Sequence, residues 1–365
     1  MSNPTPEIMY VTPTLFGGGA ERLLTNIVLQ PAARGRTSVV SLLGGGVFRR
    51  TLDDAGVDVM DLGMTGNRDL LRGIFRLAAL IRARRPAVVY GWMYHGNLMA
   101  FLAVLLAGTR TPLFWGVFCT DTRSNEPAMF RIVRWLNVLL ARFVDGVIYN
   151  AEEARDFHHQ IGFRERRSIV IPNCIDPAVF RHDPQKREEL RAELGIGENE
   201  IIVAVVARVD PMKDWDTVRE AVRDLPGVVT LAIGTGTDQL PPQPGFVGLG
   251  WRDDVVGILS AADIFLLGSA FGEGTSLALG EAMLCGLPCV VTDVGGNSAL
   301  IGDGGIVVST RNVAQVREAI VQLARDRGRR EQLGRVAQTR ASAVPAPDEV
   351  ARELYLITMN AEASR

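Results

Sequence analysis

Two glutamates lie eight positions apart in a glycine-rich segment, Glu273 and Glu281. The glycines permit a tight loop, and Thr275 or Ser276 is placed to cap the helix predicted after it. Glu281 then lies about one and a half turns inside that helix, whereas Glu273 stays in the loop. A helix N-terminus that favours phosphate therefore lies between two carboxylates that accept hydrogen bonds from hydroxyl groups. This pattern indicates a site for a sugar, a diphosphate and a ribose; two surface glutamates at chance spacing are the alternative.

Arg208 and Lys213 belong to a second segment, which begins where an apolar run over 201–207 ends. In doubly wound folds, ligands bind at the carboxyl ends of the strands. There, a guanidinium fork and an ammonium group can converge on one phosphate. The alternative is a solvated loop. Lys213 is one of two lysines in the chain, the other being Lys186.

A third segment, 17–22, follows the first apolar run and begins with three glycines. Glycines let the backbone approach a ligand closely, and the helix predicted after them attracts anions at its N-terminus. A plain tight turn is the alternative. The spacing does not match the dinucleotide fingerprint, so an oxidoreductase is the weakest class of enzyme for this chain.

Composition limits the class of protein further. The 365 residues are 47% hydrophobic and 22% charged, which predicts two packed domains and excludes wholesale disorder. A net charge of -2 gives no support to nucleic-acid binding. Four cysteines without a CxxC pattern predict neither a zinc site nor a disulfide framework, so the cytoplasm is the expected compartment. No signal peptide is predicted, and the longest apolar stretch, 98–108, is about half a membrane span.

Apolar runs alternate with amphipathic helical patterns along the whole chain. Near-continuous apolar runs are typical of parallel strands covered on both faces, and strand–helix alternation predicts two doubly wound α/β domains. The best boundary is the proline-containing stretch 172–186. The predicted strands are 7–12, 38–43, 87–91, 112–117, 146–150 and 168–172 in the first half, and 201–207, 228–234, 245–250, 263–267, 288–292 and 305–308 in the second.

Residues 200–310 resemble the retaining GT-B glycosyltransferases of family 4. The resemblance in the first domain is sparser. The matching positions are Arg208 to Lys213, 234–236, 250–254, Glu273 with Glu281, 281–288 and 292–296 in the second half, and 18–22, 92–95 and 171–176 with Phe180 in the first.

The resemblance implies two Rossmann-like domains that face each other across a cleft. They are an acceptor-side domain over 1–178 and a nucleotide-sugar donor domain over 179–343, with a C-terminal helix over 344–365 that packs back on the first. It implies a metal-independent retaining hexosyltransferase that moves a sugar from a UDP- or GDP-linked donor to a glycan or lipid-linked acceptor in polysaccharide or glycoconjugate biosynthesis. No cofactor is expected apart from the donor substrate.

The resemblance also assigns roles. Arg208 and Lys213 bind the diphosphate and stabilise the charge that develops on it. Glu273 contacts the donor sugar, and Glu281 contacts the ribose. His95 is a catalytic candidate, with a structural role at a helix start as the alternative. The donor-binding positions are Gly18, Gly19, Arg208, Lys213, Gly274, Thr275, Ser276, Leu277 and Glu281, and the catalytic positions are Glu273, Lys213, Arg208 and His95.

Two positions depart from the family pattern. Cys119 occupies the place where a histidine commonly follows the fifth strand, and Cys174 replaces the glycine of an Asn-Gly-x-Asp motif. For Cys119 a small buried residue is favoured over a nucleophile. These departures put the acceptor-side chemistry in doubt. They keep two alternatives open: a sugar-nucleotide epimerase on the same fold, and a donor-binding partner subunit with weakened catalysis.

Three further features have structural interpretations. Asp214 and Asp216 form a DxD, the metal signature of the other glycosyltransferase fold, but they open a predicted helix and are interpreted as capping and surface charge. Cys285 and Cys289 are interpreted as core residues. The helix predicted over 69–84 is interpreted as a solvated helix face, with peripheral contact with anionic lipid at the inner face of a membrane as the alternative. It combines Arg68, Arg72, Arg76, Arg82, Arg84 and Arg85 with Leu70, Leu71, Ile74, Phe75, Leu77 and Leu80.

Overall fold

The computed structural model describes residues 7–31, 33, 37–123 and 126–363. The chain divides into two compact units. The first comprises the chain up to Phe118, Glu126–Cys174 and the chain from Ala346 onward. The second comprises Ile175–Pro345 together with the short segment that starts at Cys119. The chain therefore leaves the first unit for this short segment before it returns to complete the first sheet.

In the first unit, the described strands form one seven-stranded sheet in which all pairings are parallel, in the order β3-β2-β1-β4-β5-β6-β7. The strands are β1 (Ile8–Thr12), β2 (Thr37–Ser41), β3 (Asp58–Asp61), β4 (Val88–Trp92), β5 (Leu113–Val117), β6 (Gly146–Tyr149) and β7 (Ser168–Val170). The helices between them are α1 (Gly19–Val28), α2 (Val47–Asp54), α3 (Leu70–Arg84), α4 (Met93–Ala107), α5 (Ala128–Leu140) and α6 (Glu152–Gln160). The strand order reverses between β1 and β4, which is a topological switch point.

The second unit holds a six-stranded parallel sheet in the order β10-β9-β8-β11-β12-β13, as far as the described residues extend. Its strands are β8 (Ile201–Val206), β9 (Val228–Ile233), β10 (Phe246–Gly248), β11 (Ile264–Leu267), β12 (Cys289–Thr292) and β13 (Gly305–Val308). Its helices are α7 (Pro184–Glu193), α8 (Trp215–Val222), α9 (Val255–Ala261), α10 (Leu277–Leu284), α11 (Asn297–Ile301), α12 (Val313–Arg325) and α13 (Arg327–Ala341). The strand order reverses between β8 and β11.

The last helix, α14 (Pro347–Ala363), belongs to the first unit. The Tyr90 hydroxyl on β4 donates to the Leu354 carbonyl at 3.2 Å and lies 3.3 Å from the Thr358 hydroxyl. Both α14 residues are buried, as is Tyr90. A buried phenol needs a polar partner, and α14 supplies it.

The prediction of two doubly wound α/β domains is confirmed, and each of the twelve predicted strands is present. The sequence analysis missed β3, which is a short edge strand. Its four residues, Asp58–Asp61, carry an aspartate at each end and are half-buried or exposed, so they lack the apolar run of a central strand. Within the described residues, no helix combines the length and apolarity needed to cross a membrane.

Candidate active site

Arg208, Lys213 and Glu273 lie in the loops that follow β8 and β11. These two adjacent strands flank the switch point of the second sheet. Because parallel strands end at the same edge of a sheet, the loops converge there. The three residues singled out from the sequence are thus brought together by the topology, although 60 positions separate Lys213 from Glu273.

The Lys213 ammonium and the Glu273 carboxylate form an ion pair through Nζ and Oε1. Both side chains are largely buried, with 13% and 9% of their surface exposed. The Ser269 hydroxyl donates a second hydrogen bond, of 2.6 Å, to the same oxygen. Burial alone would raise the pKa of Glu273, but the charge and hydrogen bond of Lys213, the bond from Ser269 and the charge of Arg208 outweigh it and lower the pKa. Glu273 is therefore ionised at neutral pH.

The loop after β8 is shaped by Asp210. Its Oδ1 accepts from the Met212 amide at 2.9 Å, its carbonyl accepts from the Lys213 amide at 2.9 Å, and its Oδ2 accepts from Arg208 Nε and Nη2 at 3.2 Å each. The Trp215 indole donates to the Arg208 carbonyl at 3.0 Å. These bonds hold Arg208 and Lys213 on one short turn, with the Arg208 guanidinium half-exposed.

Asp214 has a left-handed backbone and is the N-cap of α8, where its carboxylate accepts from the Thr217 amide at 3.4 Å. The interpretation of the DxD as a helix cap is confirmed for Asp214. Asp216 lies in the first turn of the same helix, where its negative charge interacts favourably with the helix dipole.

The loop that carries Glu273 is held on one side by the segment 119–123. Cys119 forms an antiparallel bridge with Glu273. The Thr120 amide donates to the Gly272 carbonyl at 3.2 Å, and its hydroxyl donates to the Glu273 carbonyl at 2.6 Å. Cys119 is buried, in agreement with the interpretation that it is a small buried residue. Its main chain positions the Glu273 loop.

The other side of this loop is held by the turn after β12. The Gly296 amide donates to the Gly274 carbonyl at 2.7 Å, and Asn297 Oδ1 accepts from the Ser276 amide at 2.9 Å. A Cβ at Gly295, where φ is +59°, would lie 2.1 Å from the Glu273 carbonyl oxygen, so only glycine fits there. The close approach fixes the backbone of the loop.

Ser276 is the N-cap residue of α10, but its side chain makes no capping bond. Of the two predicted capping residues, Thr275 and Ser276, the structure thus shows no capping bond from Ser276; its own amide donates to Asn297 instead. Thr275 precedes the cap, and Leu277 is the first residue of the helix. This arrangement leaves a helix N-terminus next to the ion pair, where its dipole favours an anion.

Glu281 lies one turn inside α10 and is 1% exposed. Burial, followed by the charge of Glu281, raises the pKa of the nearby Cys285 thiol to about 12. Burial also raises the pKa of Cys289, so both thiols stay protonated at neutral pH, as expected for core residues.

In the first unit, the predicted residues flank the switch between β1 and β4. Gly18 is the N-cap of α1 and Gly19 its first residue, and a Cβ at Gly19 would meet no atom within 4 Å. His95 lies in the first turn of α4, directly after β4, with its ring 5.4 Å from that of Phe130. Burial lowers the pKa of His95, so its imidazole is neutral at pH 7.

The sequence analysis missed Ser269, Thr120 and Asn297. Ser269 had a signal, because it is a polar residue two positions after a buried strand at the carboxyl edge of the sheet. Asn297 follows a double glycine that matches the family pattern, but nothing in the sequence indicates what its side chain accepts. The partner of Thr120 is 153 positions away and has no local signal.

The two parallel α/β units, each with a glycine-rich loop at a switch point, define a class of two-domain proteins that bind ligands at the carboxyl ends of their strands. Two family models match the chain: "Glycosyl transferases group 1" over residues 186–340 and "Glycosyl transferase 4-like domain" over residues 18–174. The chain belongs to the GT-B glycosyltransferases of the family 4 type.

Known proteins support the assignment. The chain is 24% identical over 277 residues to the Escherichia coli UDP-Gal:alpha-D-GlcNAc-diphosphoundecaprenol alpha-1,3-galactosyltransferase, covering 70% of this chain and 71% of the relative. It is 31% identical to the Nocardia farcinica D-inositol 3-phosphate glycosyltransferase over 52% of this chain and 46% of the relative. The crystal structure of Anabaena Alr3699/HepE in complex with UDP and glucose superposes with a TM-score of 0.85, at 21% identity, over 96% of this chain and 99% of the other. The predicted GT-B fold is confirmed.

Proposed function

We propose that this protein is a retaining hexosyltransferase that moves a sugar from a UDP- or GDP-linked donor to a glycan or lipid-linked acceptor. The observation that carries the proposal is the convergence of Arg208, Lys213 and Glu273 at the switch point of the second sheet, beside the N-terminus of α10. The relative from Escherichia coli, whose name states a UDP-galactose donor and a lipid-linked acceptor, supports the two substrate classes.

The positive groups suit a departing diphosphate. Breakage of the bond between the sugar and the diphosphate leaves negative charge on the diphosphate oxygen and positive charge on the sugar ring. Arg208 and Lys213, with the α10 N-terminus beside them, supply fixed positive charge for that oxygen. Lys213 is held by Glu273, so its ammonium is pre-positioned and does not have to be ordered when the donor arrives.

The two glutamates suit the hydroxyl groups of the donor. Glu273 is ionised and lies before α10, where it accepts hydrogen bonds from the sugar. Glu281 is buried about one turn after the start of α10. Its carboxylate is assigned to the ribose hydroxyls. Hydroxyl donors offset the cost of burying a carboxylate.

The proposal includes no metal ion, because the cations and the helix N-terminus already supply the charge that a divalent ion would bring to the diphosphate. The roles of Gly18 and Gly19 near the diphosphate, and of His95 in catalysis, stay predictions from the resemblance.

A thermal-shift screen with UDP, GDP and their sugar conjugates tests donor binding. A ligand at 100 times its dissociation constant stabilises the protein by about 2.7 kcal/mol. Incubation of the stabilising donor with and without a lipid-linked saccharide, followed by NMR of the anomeric proton, then tests transfer and stereochemistry. An epimer formed without acceptor would favour the epimerase, and donor binding without turnover on any acceptor would favour the partner subunit.

Metal dependence is tested in the same assay. Transfer is expected to persist in EDTA, and loss of activity that manganese restores would overturn the metal-free proposal.

A further inference from the structure

The helix α5 exposes an apolar stripe. Met129, Ile132, Trp135 and Leu139, followed by Phe143 just beyond the helix, are between 37% and 61% exposed. At 3.6 residues per turn, the four helical positions fall within roughly 120° of the circumference. The buried residues of α5, Val133 and Asn137, lie on another face. A helix of a water-soluble domain normally turns its polar side outward, so this stripe is inverted with respect to the usual pattern.

The stripe continues onto α4. The Phe143 ring lies 6.5 Å from that of Phe101, and Leu105, one turn beyond Phe101, is 69% exposed. We call this surface the α4–α5 face; its members are Leu105, Met129, Ile132, Trp135, Leu139 and Phe143. Contiguous exposed apolar surface of this kind marks an interaction site.

The segments that build the α4–α5 face carry arginines and no carboxylates. The sequence contains no aspartate or glutamate over 70–120 or 127–144, whereas Arg110, Arg131 and Arg142 are exposed beside the face. The two carboxylates that border α5 in sequence have partners within the protein, since Glu126 pairs with Arg134 at 3.0 Å and Asp145 accepts from the Leu113 amide at 2.8 Å. A second copy of the chain docked through the same face would bring arginines together with no carboxylate from these segments to compensate them. An anionic surface complements both the charge and the apolar stripe.

We propose that the α4–α5 face docks this protein on an anionic lipid bilayer. The apolar side chains enter the boundary between headgroups and acyl chains, the indole of Trp135 lies at headgroup level, and the arginines contact lipid phosphates. The inference concerns a surface outside the donor-binding loops and does not depend on the proposed function.

The α4–α5 face differs from the surface considered in the sequence analysis, where membrane contact through α3 is the alternative to a solvated helix face. Three of the α3 arginines are occupied within the protein. Arg76 donates to the Leu62 carbonyl at 2.8 Å, Arg82 donates to the Ala107 carbonyl at 3.1 Å, and Arg84 pairs with Asp58. Of the apolar α3 residues, Ile74 and Leu77 are buried, whereas Leu70, Leu71 and Phe75 are exposed. Helix α3 thus exposes three large apolar side chains, against four on α5, and α5 continues into Phe143 and Leu105.

The test is sedimentation of the full chain with vesicles of phosphatidylcholine alone and of phosphatidylcholine mixed with phosphatidylglycerol. Binding only to the anionic vesicles is expected, with a blue shift of tryptophan emission. The double variant Trp135→Gln/Phe143→Gln is expected to bind at least about tenfold more weakly and to lose the shift. Arg131→Gln and Arg142→Gln are expected to weaken binding about fivefold each.

Matched controls separate docking from general surface changes. Leu356 on α14 is 60% exposed, so Leu356→Gln removes a comparable apolar side chain elsewhere, and Arg329→Gln removes an exposed charge from α13. Both are expected to bind vesicles like the unaltered chain, and circular-dichroism melts check that every variant folds.

Equal binding by all variants, or no binding to either vesicle, would overturn the proposal. Concentration-dependent dimers that Trp135→Gln/Phe143→Gln abolishes, without vesicle binding, would assign the α4–α5 face to self-association instead. Because the assay contains neither donor nor acceptor, its outcome is independent of catalytic activity.

Discussion

Lys213 and Glu273 form an ion pair that joins the loops of two adjacent strands at the point where the strand order of the second sheet reverses. Neither side chain is positioned by its own loop alone. Asp210 shapes the turn that carries Lys213, while Thr120 and Gly296 hold the backbone around Glu273. A change at either residue therefore alters both loops, which makes the matched variants below informative.

Lys213→Ala is expected to lower kcat on the order of 100-fold or more with a smaller change in KM. The diphosphate gains charge only as the glycosidic bond breaks, so the lost interaction is stronger in the transition state than in the ground state. Lys213→Arg should rescue only in part, because a planar fork does not replace a compact ammonium. Steady-state kinetics of both variants check this, and a change confined to KM would refute the assignment of Lys213 to the leaving group.

Glu281→Ala is expected to raise KM for the donor with a smaller effect on kcat. The ribose is bound equally in the substrate and in the transition state, so its contacts contribute uniform binding. The control is Glu318→Ala, which removes an exposed glutamate of α12 in the same unit. Calorimetric titration with UDP measures the change in nucleotide affinity directly. Unchanged UDP affinity in Glu281→Ala would mean that Glu281 is not the ribose ligand.

The stability of the second unit should depend on pH through Glu273. Its pKa is lowered in the folded protein relative to the ordinary value of 4.5, so its ionisation stabilises the fold above that value. The contribution is lost as the pH falls from there through the lowered pKa. Glu273→Gln should remove this part of the acid dependence and leave a flatter curve below pH 4.5. Urea unfolding at a series of pH values measures both curves, and identical slopes would argue against an ionised Glu273.

Asn297→Ala is expected to reduce kcat/KM by roughly tenfold to 100-fold, because the Ser276 amide loses its acceptor and the start of α10 shifts. The loss in stability should be about 1–3 kcal/mol, the cost of leaving the buried Ser276 amide without an acceptor. Ser298→Ala, at the neighbouring half-buried position whose hydroxyl donates to Asp293 rather than to the start of α10, serves as the control. Kinetics and chemical denaturation on the same preparations compare the two effects. A loss of stability without a loss of activity would reduce Asn297 to a purely structural role.

Cys119→Ser should leave kcat within about twofold, because the bridge to Glu273 is formed by the main chain of Cys119 and a serine of similar size retains it. Thr120→Val removes the hydroxyl that donates to the Glu273 carbonyl and is expected to lower kcat/KM by about tenfold. An inactive Cys119→Ser variant together with a normally active Thr120→Val variant would contradict the supporting role of these two residues. That result would indicate a chemical role for the Cys119 thiol.

The sheets and the loops that carry Arg208 and Glu273 could be predicted because their signals are local. Apolar runs mark the central strands, and Arg208 and Glu273 each follow one of them. The geometry that fixes those loops could not be predicted, since it depends on pairs that are distant in sequence, such as Thr120 with Glu273. The exposed stripe on α5 also could not be predicted, because an apolar helix pattern does not indicate which face of the helix other elements cover.

The short segment 119–123 has a consequence for dissection and recombination of this enzyme. It leaves the first sheet after β5, contributes Thr120 and Cys119 to the support of the Glu273 loop, and returns to α5. A fragment expressed from Ile175 onward would lack that support. A chimera that exchanges the second unit between relatives at this junction would combine one parent's Glu273 loop with the other parent's 119–123 segment. The stretch from Ile175 onward therefore lacks part of its own unit, and substitutions at 119–120 are expected to be coupled energetically to substitutions at 272–273.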